Sequence, residues 1–287
     1  MQQGELKTIA KWFSEADGLL ITAGAGIGVD SGLPDFRGND GFWQAYPALK
    51  DAKLDFADMA NPSWFSTDPK LAWGFYGHRL ELYRKTKPHE GFAILNRWAK
   101  LFPRGGAIFT SNVDGQFQAA GFSEDLIYEC HGSIHQLQCS AMCTDDIWSA
   151  QEFIPEVDED ECKLTNEFAL CPHCGAIARP NILMFNDDAW IDERSRQQGE
   201  RLDAWLKNTN YPLVVELGAG TAIPSVREFG ERIVDDFNSR LIRINLREAT
   251  VSGFEGIGLS MGSLVGLKMI DAHLESNFAE LRQEISF

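Results

Sequence analysis

A short apolar run followed by a glycine-rich turn constrains this chain more than any other feature. Residues 18–22 have the length and composition of a buried strand. The glycines of the next segment, 24–28, allow backbone N–H groups to approach a phosphate closely. Alone they are a weak dinucleotide fingerprint, because the third glycine comes one position early for the pattern G-x-G-x-x-G. A rigid Ser-Gly-Leu-Pro turn then brings an acid, a phenyl ring and a guanidinium together at residues 35–37.

The composition is that of an ordinary globular protein with a strong acidic bias. The 287 residues are enough for one large domain, or for one domain with a small insertion. No apolar run of about 18 residues is present and no leader peptide is expected, so we expect a cytoplasmic protein without a membrane span. The net charge of −16 disfavours nucleic acid as a partner and suits lysine-rich protein segments, although it also serves solubility.

Apolar strands alternate with helical stretches along the chain. Strands end at polar or glycine-rich segments after Thr22, Thr110, Leu217 and Ile244. This alternation predicts an α/β fold with a Rossmann-like, doubly wound parallel sheet, in which ligand-binding groups gather at the carboxyl ends of the strands. The predicted dinucleotide-binding domain comprises residues 1–37, 91–134 and 181–287, interrupted by a helical insert at 38–90 and a small metal-binding module at 135–180.

Four of the six cysteines form two close pairs, one C-x3-C and one C-x2-C. Two such pairs can bring four thiolates onto one tetrahedral zinc ion. Four cysteines would leave no open coordination position, so the ion would be structural and would hold together a loop-rich lobe with little apolar content. Free thiols or a redox pair are the alternative. The predicted ligands are Cys139, Cys143, Cys171 and Cys174.

Three polar segments occur in an order that is itself informative. The first is the glycine turn with its Asp-Phe-Arg triplet, the second is residues 110–121, and the third is His-Gly-Ser at 131–133, shortly before the first cysteine pair. Together they resemble the signatures of the sirtuins, a family of NAD-dependent protein deacylases, which read G-A-G-x-S-x-x-S-G-I-P-D-F-R, T-Q-N-I-D-x-L-H-x-x-A-G and H-G-S. Gly28 and Ser111 stand where the family has serine and glutamine.

The resemblance continues through the second half of the chain and covers roughly residues 15–275. Residues 179–187 are similar to R-P-x-V-V-x-F-G-E, which borders the peptide groove in the family, with Asn186 and Asp187 in the last two places. Residues 218–221 stand where the family has G-T-S-L, so two hydroxyls that would bond phosphate are missing there. Residues 241–246 are similar to the family's I-N strand end, whose asparagine holds the adenosine side.

The resemblance implies a lysine deacylase that uses NAD and contains one structural zinc ion. The acyl oxygen of a modified lysine would displace nicotinamide, and the acyl group would end on ADP-ribose. His131 is implied as the general base, a role open to a neutral imidazole with a pKa of about 6.5. Asn112 and Asp114 would fix the nicotinamide side. The other histidines, His89 among them, lack such a context and are expected to be structural or exposed.

The same resemblance assigns binding residues by position. Phe36 would shield the reacting groups from water, and Ile182 and Phe185 would contact the peptide. The residues implied to bind the cofactor are Gly24, Ala25, Gly26, Asp35, Phe36, Arg37, Asn112, Asp114, Gly218, Ala219, Gly220, Asn245 and Leu246.

Residues 72–84 have a helical pattern in which Tyr76 and Arg79, three positions apart, share one face. In the sirtuins that remove succinyl, malonyl or glutaryl groups, a Y-x-x-R pair at this place binds the acid end of the acyl chain. A guanidinium pairs with a carboxylate through bidentate hydrogen bonds. The pair therefore predicts a preference for acidic acyl groups over acetyl. An ordinary amphipathic helix with an exposed arginine is the alternative.

Three functions stay open on the sequence alone. The first is an NAD-dependent protein lysine deacylase. The second is a mono-ADP-ribosyltransferase or NAD hydrolase on the same scaffold, which Ser111 and the missing hydroxyls at 219–220 keep open. The third is a non-catalytic sensor of NAD or ADP-ribose, against which the presence of His131, Asn112 and Asp114 argues.

Overall fold

The structure is a computed structural model that describes residues 3–35, 42–43, 46–51 and 53–284, with the backbone alone at 51 and 277–284. Phe36 and Arg37, both predicted to contact the cofactor, lie outside the described residues. Within the described ranges, no helix is long and apolar enough to cross a lipid bilayer.

Local sequence signals account for where several helices begin. Helix α5 starts after Asp68, whose carboxylate accepts the Leu71 N–H, and Pro69 occupies its first position. The α-helices of the described ranges are α1 (Gln3–Glu15), α2 (Pro47–Asp51), α3 (Phe56–Met59), α4 (Trp64–Thr67), α5 (Pro69–Lys85), α6 (Glu90–Ala99), α7 (Gln116–Ala119), α8 (Glu193–Lys207), α9 (Ser225–Phe237) and α10 (Ser263–Glu284). In the same ranges, 3-10 helices cover Ala25–Ser31 and Glu124–Leu126.

The main sheet has six parallel strands in the order β11-β10-β9-β1-β2-β3. From β1 the chain proceeds outward to β3, then returns to the other side of β1 for β9 to β11, so the strand order reverses between β1 and β9. This topology confirms the predicted doubly wound sheet. The strands are β1 (Gly18–Ala23), β2 (Gly106–Thr110), β3 (Ile127–Glu129), β4 (Gly132–Cys139), β5 (Trp148–Ser149), β6 (Val157–Asp158), β7 (Lys163–Leu164), β8 (Ala178–Ile182), β9 (Pro212–Leu217), β10 (Arg240–Ile244) and β11 (Gly256–Leu259).

Both faces of the sheet are covered by helices, as its uninterrupted apolar strands require. Along β1, Leu19 and Ile21 belong to a core that includes residues of α1, α6 and α10. Leu20 points to the other face and belongs to a core with residues of α8 and α9. The alternation follows from the two-residue period of a strand.

A further hydrophobic core lies beside the sheet and joins the two predicted insertions. It contains buried residues of α5, such as Trp73 and Tyr76, together with residues of the cysteine-containing module, such as Leu164 and Ala169. The contact is close, because a Cβ on Gly74 of α5 would lie 2.0 Å from the Cys162 carbonyl oxygen. The module was expected to have little apolar content, and this packing shows that it also has a hydrophobic attachment.

Candidate active site

The loops that follow β1 and β9 meet where the strand order reverses, the place where ligands bind in open α/β sheets. After β1 the chain enters the 3-10 helix Ala25–Ser31, which ends at Gly32 with a φ of 88°. The Gly26 N–H donates to the Gly218 carbonyl at 3.1 Å. The predicted phosphate-binding turn is therefore braced directly against the backbone of the loop that follows β9.

Glycine is required on both sides of this contact. A Cβ on Gly26 would lie 2.7 Å from the Gly218 Cα, and a Cβ on Gly218 would lie 2.3 Å from the Gly26 carbonyl carbon. Gly218 also has a φ of 59°, in the left-handed region that favours glycine. Ala219 fits at the next position because its side chain is buried in the core of the α8 and α9 face.

Asn112 and Asp114 lie just beyond β2, next to the glycine turn. The Asn112 side-chain amide donates to the Gly24 carbonyl at 3.2 Å. Its backbone N–H donates to the Thr110 hydroxyl, which itself donates to the Ala23 carbonyl at 2.9 Å. The structure therefore brings together the first and second signatures that the sequence predicted.

Asp114 is a buried carboxyl group held in a tight turn. Its Oδ1 accepts the Gln116 N–H at 2.9 Å, and its carbonyl oxygen accepts a hydrogen bond from Nε2 of His135 at 2.9 Å. Burial raises the pKa of Asp114 from 3.8 to about 6, a shift that the Gln116 hydrogen bond opposes. The group can therefore change its protonation state close to neutral pH.

His131 is half-buried at the start of β4 and faces the first residue of α9. Its Nε2 lies 3.4 Å from the Ser225 hydroxyl. Burial lowers the pKa of His131, although a hydrogen bond with the Ser111 backbone opposes this effect. The imidazole is therefore neutral at pH 7 and able to accept a proton.

The predicted adenosine side is preorganised by Asn245. Its side-chain amide donates to the Ala219 carbonyl at 2.7 Å, and its Oδ1 accepts the backbone N–H groups of Arg247 and Glu248. Arg227 also donates to the Ala219 carbonyl, at 3.0 Å from Nη2. Leu246 is 65% exposed and is therefore open to solvent next to the buried Asn245.

The segment after β8 passes next to the catalytic histidine candidate. The Leu183 N–H donates to the His131 carbonyl at 3.0 Å, and the Phe185 N–H donates to the Ala60 carbonyl at 2.9 Å. Ile182 is buried, whereas Phe185 is 39% exposed and its ring lies 6.3 Å from that of Phe56. A substrate chain could lie along this segment.

Asp187, which replaces the family's glutamate, has a structural partner. Its carboxylate accepts two hydrogen bonds from Arg179, at 2.7 and 2.8 Å, and both side chains are fully buried. This ion pair closes the turn between Arg179 and Asp187 and thereby supports the Phe185 segment. Asn186 within the turn has a φ of 55°, a left-handed conformation that asparagine tolerates.

Arg79 is buried in a cluster of aromatic rings, which rules out the alternative of an exposed arginine on an ordinary surface helix. Its guanidinium carbon lies 5.1–5.9 Å from the ring centroids of Phe56, Phe75, Tyr76 and Tyr83. The Tyr83 hydroxyl accepts hydrogen bonds from Nε and Nη2 of Arg79. The Tyr76 hydroxyl is buried and has no hydrogen-bond partner among the described residues.

The four predicted metal ligands converge. The sulfur atoms of Cys139, Cys143, Cys171 and Cys174 all lie within 4.8 Å of one another. The Cys139–Cys174 and Cys143–Cys171 sulfur distances are 3.7 and 3.6 Å. Four thiolates about 2.3 Å from one zinc ion in tetrahedral geometry would be about 3.8 Å apart, so the set fits zinc. Four protein ligands make it a closed, structural site.

Sequence reasoning did not single out three residues that touch the site. Tyr83 lies four residues after Arg79, a helical spacing that could have indicated their contact. His135 and Ser225 meet Asp114 and His131 only because separate elements of the fold converge, and no local pattern indicates this.

The fold and the site define a Rossmann-type dinucleotide-binding protein with an attached tetracysteine module. A family model described as "Sir2 family" matches residues 24–207. The chain belongs to the Sir2 family, because this match spans more than half of its length.

Similar proteins match most of the chain. An NAD-dependent protein deacylase of Aquifex aeolicus is 26% identical over 260 residues, which is 91% of this chain and 96% of that protein. An NAD-dependent protein deacylase of Pyrococcus furiosus is 33% identical over 184 residues, 63% of this chain and 66% of that protein. The crystal structure of a Sir2 homologue with NAD shares the fold, with a TM-score of 0.72 at 20% identity, and 94% of each chain is covered.

Proposed function

We propose that this protein is an NAD-dependent lysine deacylase that transfers the acyl group of a modified lysine to ADP-ribose and releases nicotinamide. The observation that carries the proposal is the convergence of three separate signatures. The glycine turn, the Asn112–Asp114 turn and His131 lie at the carboxyl edge of one parallel sheet. Asn112 donates to the Gly24 carbonyl, and His131 forms a hydrogen bond with the backbone of Ser111, the residue before Asn112. The named deacylases that match over more than nine-tenths of the chain support the same activity.

The donor set fits NAD at the point where the strand order reverses. Gly24, Ala25 and Gly26 would hold the pyrophosphate through backbone N–H groups, and Gly218, Ala219 and Gly220 would complete that cradle. Asn245 would order the adenosine side together with Leu246. When bound, NAD supplies a ribose carbon from which nicotinamide can leave.

The protein's own groups would then do two things. Nε2 of His131, which faces the Ser225 hydroxyl, would accept a proton from a ribose hydroxyl. The turn that contains Asn112 and Asp114 would fix the nicotinamide end, because Asn112 is anchored to the Gly24 carbonyl. Asp35, Phe36 and Arg37 would complete the cofactor site. The zinc ion would stabilise the module without entering the reaction.

We further propose that the acyl site prefers acidic acyl groups. Arg79 interacts electrostatically with Asp114, in the turn proposed to fix the nicotinamide end. Phe56, which belongs to the aromatic cluster around Arg79, also contacts Phe185 of the segment after β8. Tyr76 belongs to the same cluster, and its buried hydroxyl can donate a hydrogen bond. A carboxylate at the end of an acyl chain would accept a hydrogen bond from that hydroxyl and would lie close to the Arg79 guanidinium.

Mass spectrometry of both products tests the proposal. The protein is incubated with NAD and matched acetyl-, succinyl-, malonyl- and glutaryl-lysine peptides. The expected products are the peptide with an unmodified lysine side chain, nicotinamide and O-acyl-ADP-ribose, formed fastest from the acidic acyl groups. His131→Ala should reduce turnover by about 10²–10⁴-fold, the usual contribution of a general base, while NAD affinity is preserved. ADP-ribosylated protein or free ADP-ribose with intact acyl-lysine would contradict the proposal.

A further inference from the structure

One histidine outside the catalytic set contacts the segment that follows β1, residues 24–31, which is called the cofactor turn below. His89 is the residue immediately before α6, and its backbone N–H donates to the Ser31 hydroxyl at 2.9 Å. Nε2 of its ring lies 2.9 Å from the Ile27 carbonyl oxygen. Both contacts fall on the 3-10 helix Ala25–Ser31, so His89 joins that helix at two residues, Ile27 and Ser31, to the start of α6.

The hydrogen-bond partners of the ring determine its protonation state. The Gly91 N–H can only donate, so Nδ1, which lies 2.9 Å from it, carries no proton. The Ile27 carbonyl can only accept, so Nε2 carries the proton. Of the three forms of an imidazole, only the neutral Nε2–H tautomer satisfies both partners.

The contact is built for an imidazole. A Cβ on Gly91 would lie 2.5 Å from Cε1 of His89, so the glycine leaves space for the ring. The Phe92 ring packs against it with a centroid distance of 4.9 Å. On the far side of the same 3-10 helix, the Asp30 carboxylate accepts the Leu264 N–H at 2.8 Å. The cofactor turn is thus fastened at two points, to α6 and to α10.

We infer that His89 is a positioning residue for the cofactor turn, and that its Nε2–H···O=C bond to Ile27 sets the affinity for NAD. The inference rests on the proposed function for the identity of the ligand. Ile27 follows directly after Gly26, whose N–H is already committed to Gly218. Fixing the next carbonyl defines the direction of the peptide units that face the pyrophosphate, without any contact between His89 and the ligand.

Acid should loosen this clamp. A proton on Nδ1 removes the acceptor for the Gly91 N–H and places a positive charge at a helix N-terminus, where it is unfavourable. The charged groups that face the ring are Asp30 from the 3-10 helix and Lys268 from α10, and Glu90 forms an ion pair with Lys268. Asp30 favours the cation and Lys268 disfavours it, while burial lowers the pKa of His89.

Two conservative variants separate the two hydrogen bonds of the ring, the one to the Ile27 carbonyl and the one from the Gly91 N–H. In His89→Asn, the side-chain oxygen takes the place of Nδ1 and keeps the helix cap, a position that asparagine favours, but it cannot reach Ile27. In His89→Gln, the longer amide can reach the Ile27 carbonyl but no longer caps Gly91. Each variant is assayed for NAD affinity by calorimetry, for kcat and both KM values, and for thermal stability.

We expect His89→Asn to raise Kd and KM for NAD by about threefold to tenfold, the worth of one hydrogen bond, with kcat, the peptide KM and Tm nearly unchanged. His89→Gln should keep the NAD affinity and lower Tm. On acidification below the pKa of His89, the wild-type Kd for NAD should increase more steeply than that of His89→Asn, which keeps only the titration of the other site groups such as Asp114. Unchanged NAD affinity in His89→Asn, or an equal loss in both variants, would overturn the inference.

The inference can fail separately from the proposed function. If the wild type binds NAD but does not deacylate, the NAD affinities of His89→Asn and His89→Gln still test the role of His89. If the wild type does not bind NAD, the proposed function fails. Hydrogen exchange of the amides from Ala25 to Ser31 then decides whether His89 orders the turn: faster exchange in His89→Asn than in His89→Gln supports the positioning role, and equal exchange refutes it.

Discussion

The hydroxyl of Tyr83 accepts two hydrogen bonds from the guanidinium of Arg79, at 3.0 Å from Nε and 2.9 Å from Nη2. This contact fixes the direction of the guanidinium inside its aromatic cluster. The hydroxyl of Tyr76, in the same cluster, has no such partner among the described residues. Two tyrosines that contact one arginine therefore have different expected roles.

Replacing each tyrosine by phenylalanine tests this difference. Tyr83→Phe deprives a buried guanidinium of an acceptor and should destabilise the fold by about 1–3 kcal/mol. Tyr76→Phe removes a buried, unpartnered hydroxyl and should leave stability equal or higher, while kcat/KM for succinyl and malonyl peptides falls relative to acetyl. Urea unfolding and the peptide panel measure both effects. Equal acyl selectivity in Tyr76→Phe and wild type would contradict the acid-binding role.

The contact between the loops after β1 and β9 makes a second prediction. In Gly218→Ala, the new Cβ would lie 2.3 Å from backbone atoms of Gly26 and Ile27, so the cofactor turn must move. We expect lower stability and a loss of NAD affinity, measured by thermal unfolding and calorimetry. Gly253→Ala is the matched control, because Gly253 also has a positive φ, 88°, but open space around it.

The control isolates backbone strain, which costs about 1–2 kcal/mol when a residue other than glycine adopts a left-handed conformation. Gly253→Ala should therefore lose stability and keep its NAD affinity. If Gly218→Ala behaves in the same way as Gly253→Ala, the close approach of the two loops does not matter for the cofactor.

The titration of Asp114 predicts a pH-dependent stability difference. Its folded pKa of about 6 exceeds the ordinary 3.8, so the folded state binds more protons than the unfolded state between these values. The stability from this group is complete below that range and is lost as pH rises through 6. Relative to wild type, Asp114→Asn should therefore gain stability with rising pH, by up to about 3 kcal/mol.

Asp17 supplies a control of the opposite sign. Its burial raises the pKa, but hydrogen bonds from Asn210 and Tyr211 outweigh this and leave the pKa below its usual value. Its stabilisation is present above the ordinary pKa and is lost as pH falls through the lowered one. Asp17→Asn should lose stability relative to wild type as pH rises. Urea unfolding at several pH values compares the variants, and parallel curves for both would refute the assignment for Asp114.

Metal removal should unfold the cysteine module. Elemental analysis should find one zinc ion per chain, and Cys143→Ala should lose it and lower Tm. Cys162→Ala is the control, because Cys162 is buried in the same module but does not belong to the sulfur cluster. Full zinc content in Cys143→Ala would show that these four sulfur atoms are not the ligand set.

The features that the sequence predicted are those that local patterns determine. The buried strand predicted at residues 18–22 and observed as Gly18–Ala23, the glycine turn after it and the spaced cysteine pairs all depend on neighbours within a few residues. The parallel sheet followed from the alternation of apolar strands and helices. The order of the three signatures added the positions of Asn112, Asp114 and His131 at one edge of that sheet.

What the sequence left out depends on contacts between distant elements. Nothing near Gly26 indicates that it will meet Gly218, 192 positions later, and the need for glycine at both places is visible only in the folded structure. The sequence shows Asp187 only as a departure from the family pattern beside the peptide groove. It does not show that the carboxylate turns inward and pairs with the buried Arg179. His89 likewise has a lone-histidine context in the sequence and three specific partners in the fold.

The core shared by α5 and the cysteine module limits how this architecture can be rearranged. In a chimera that carries only the module of a relative, side chains that differ from the native ones would pack against Trp73. The close approach of Gly74 to the Cys162 backbone would also have to be preserved. The helical segment and the module should therefore be transplanted together. Because α5 and the cysteine module share one core, substitutions in one are expected to be followed during evolution by compensating substitutions in the other.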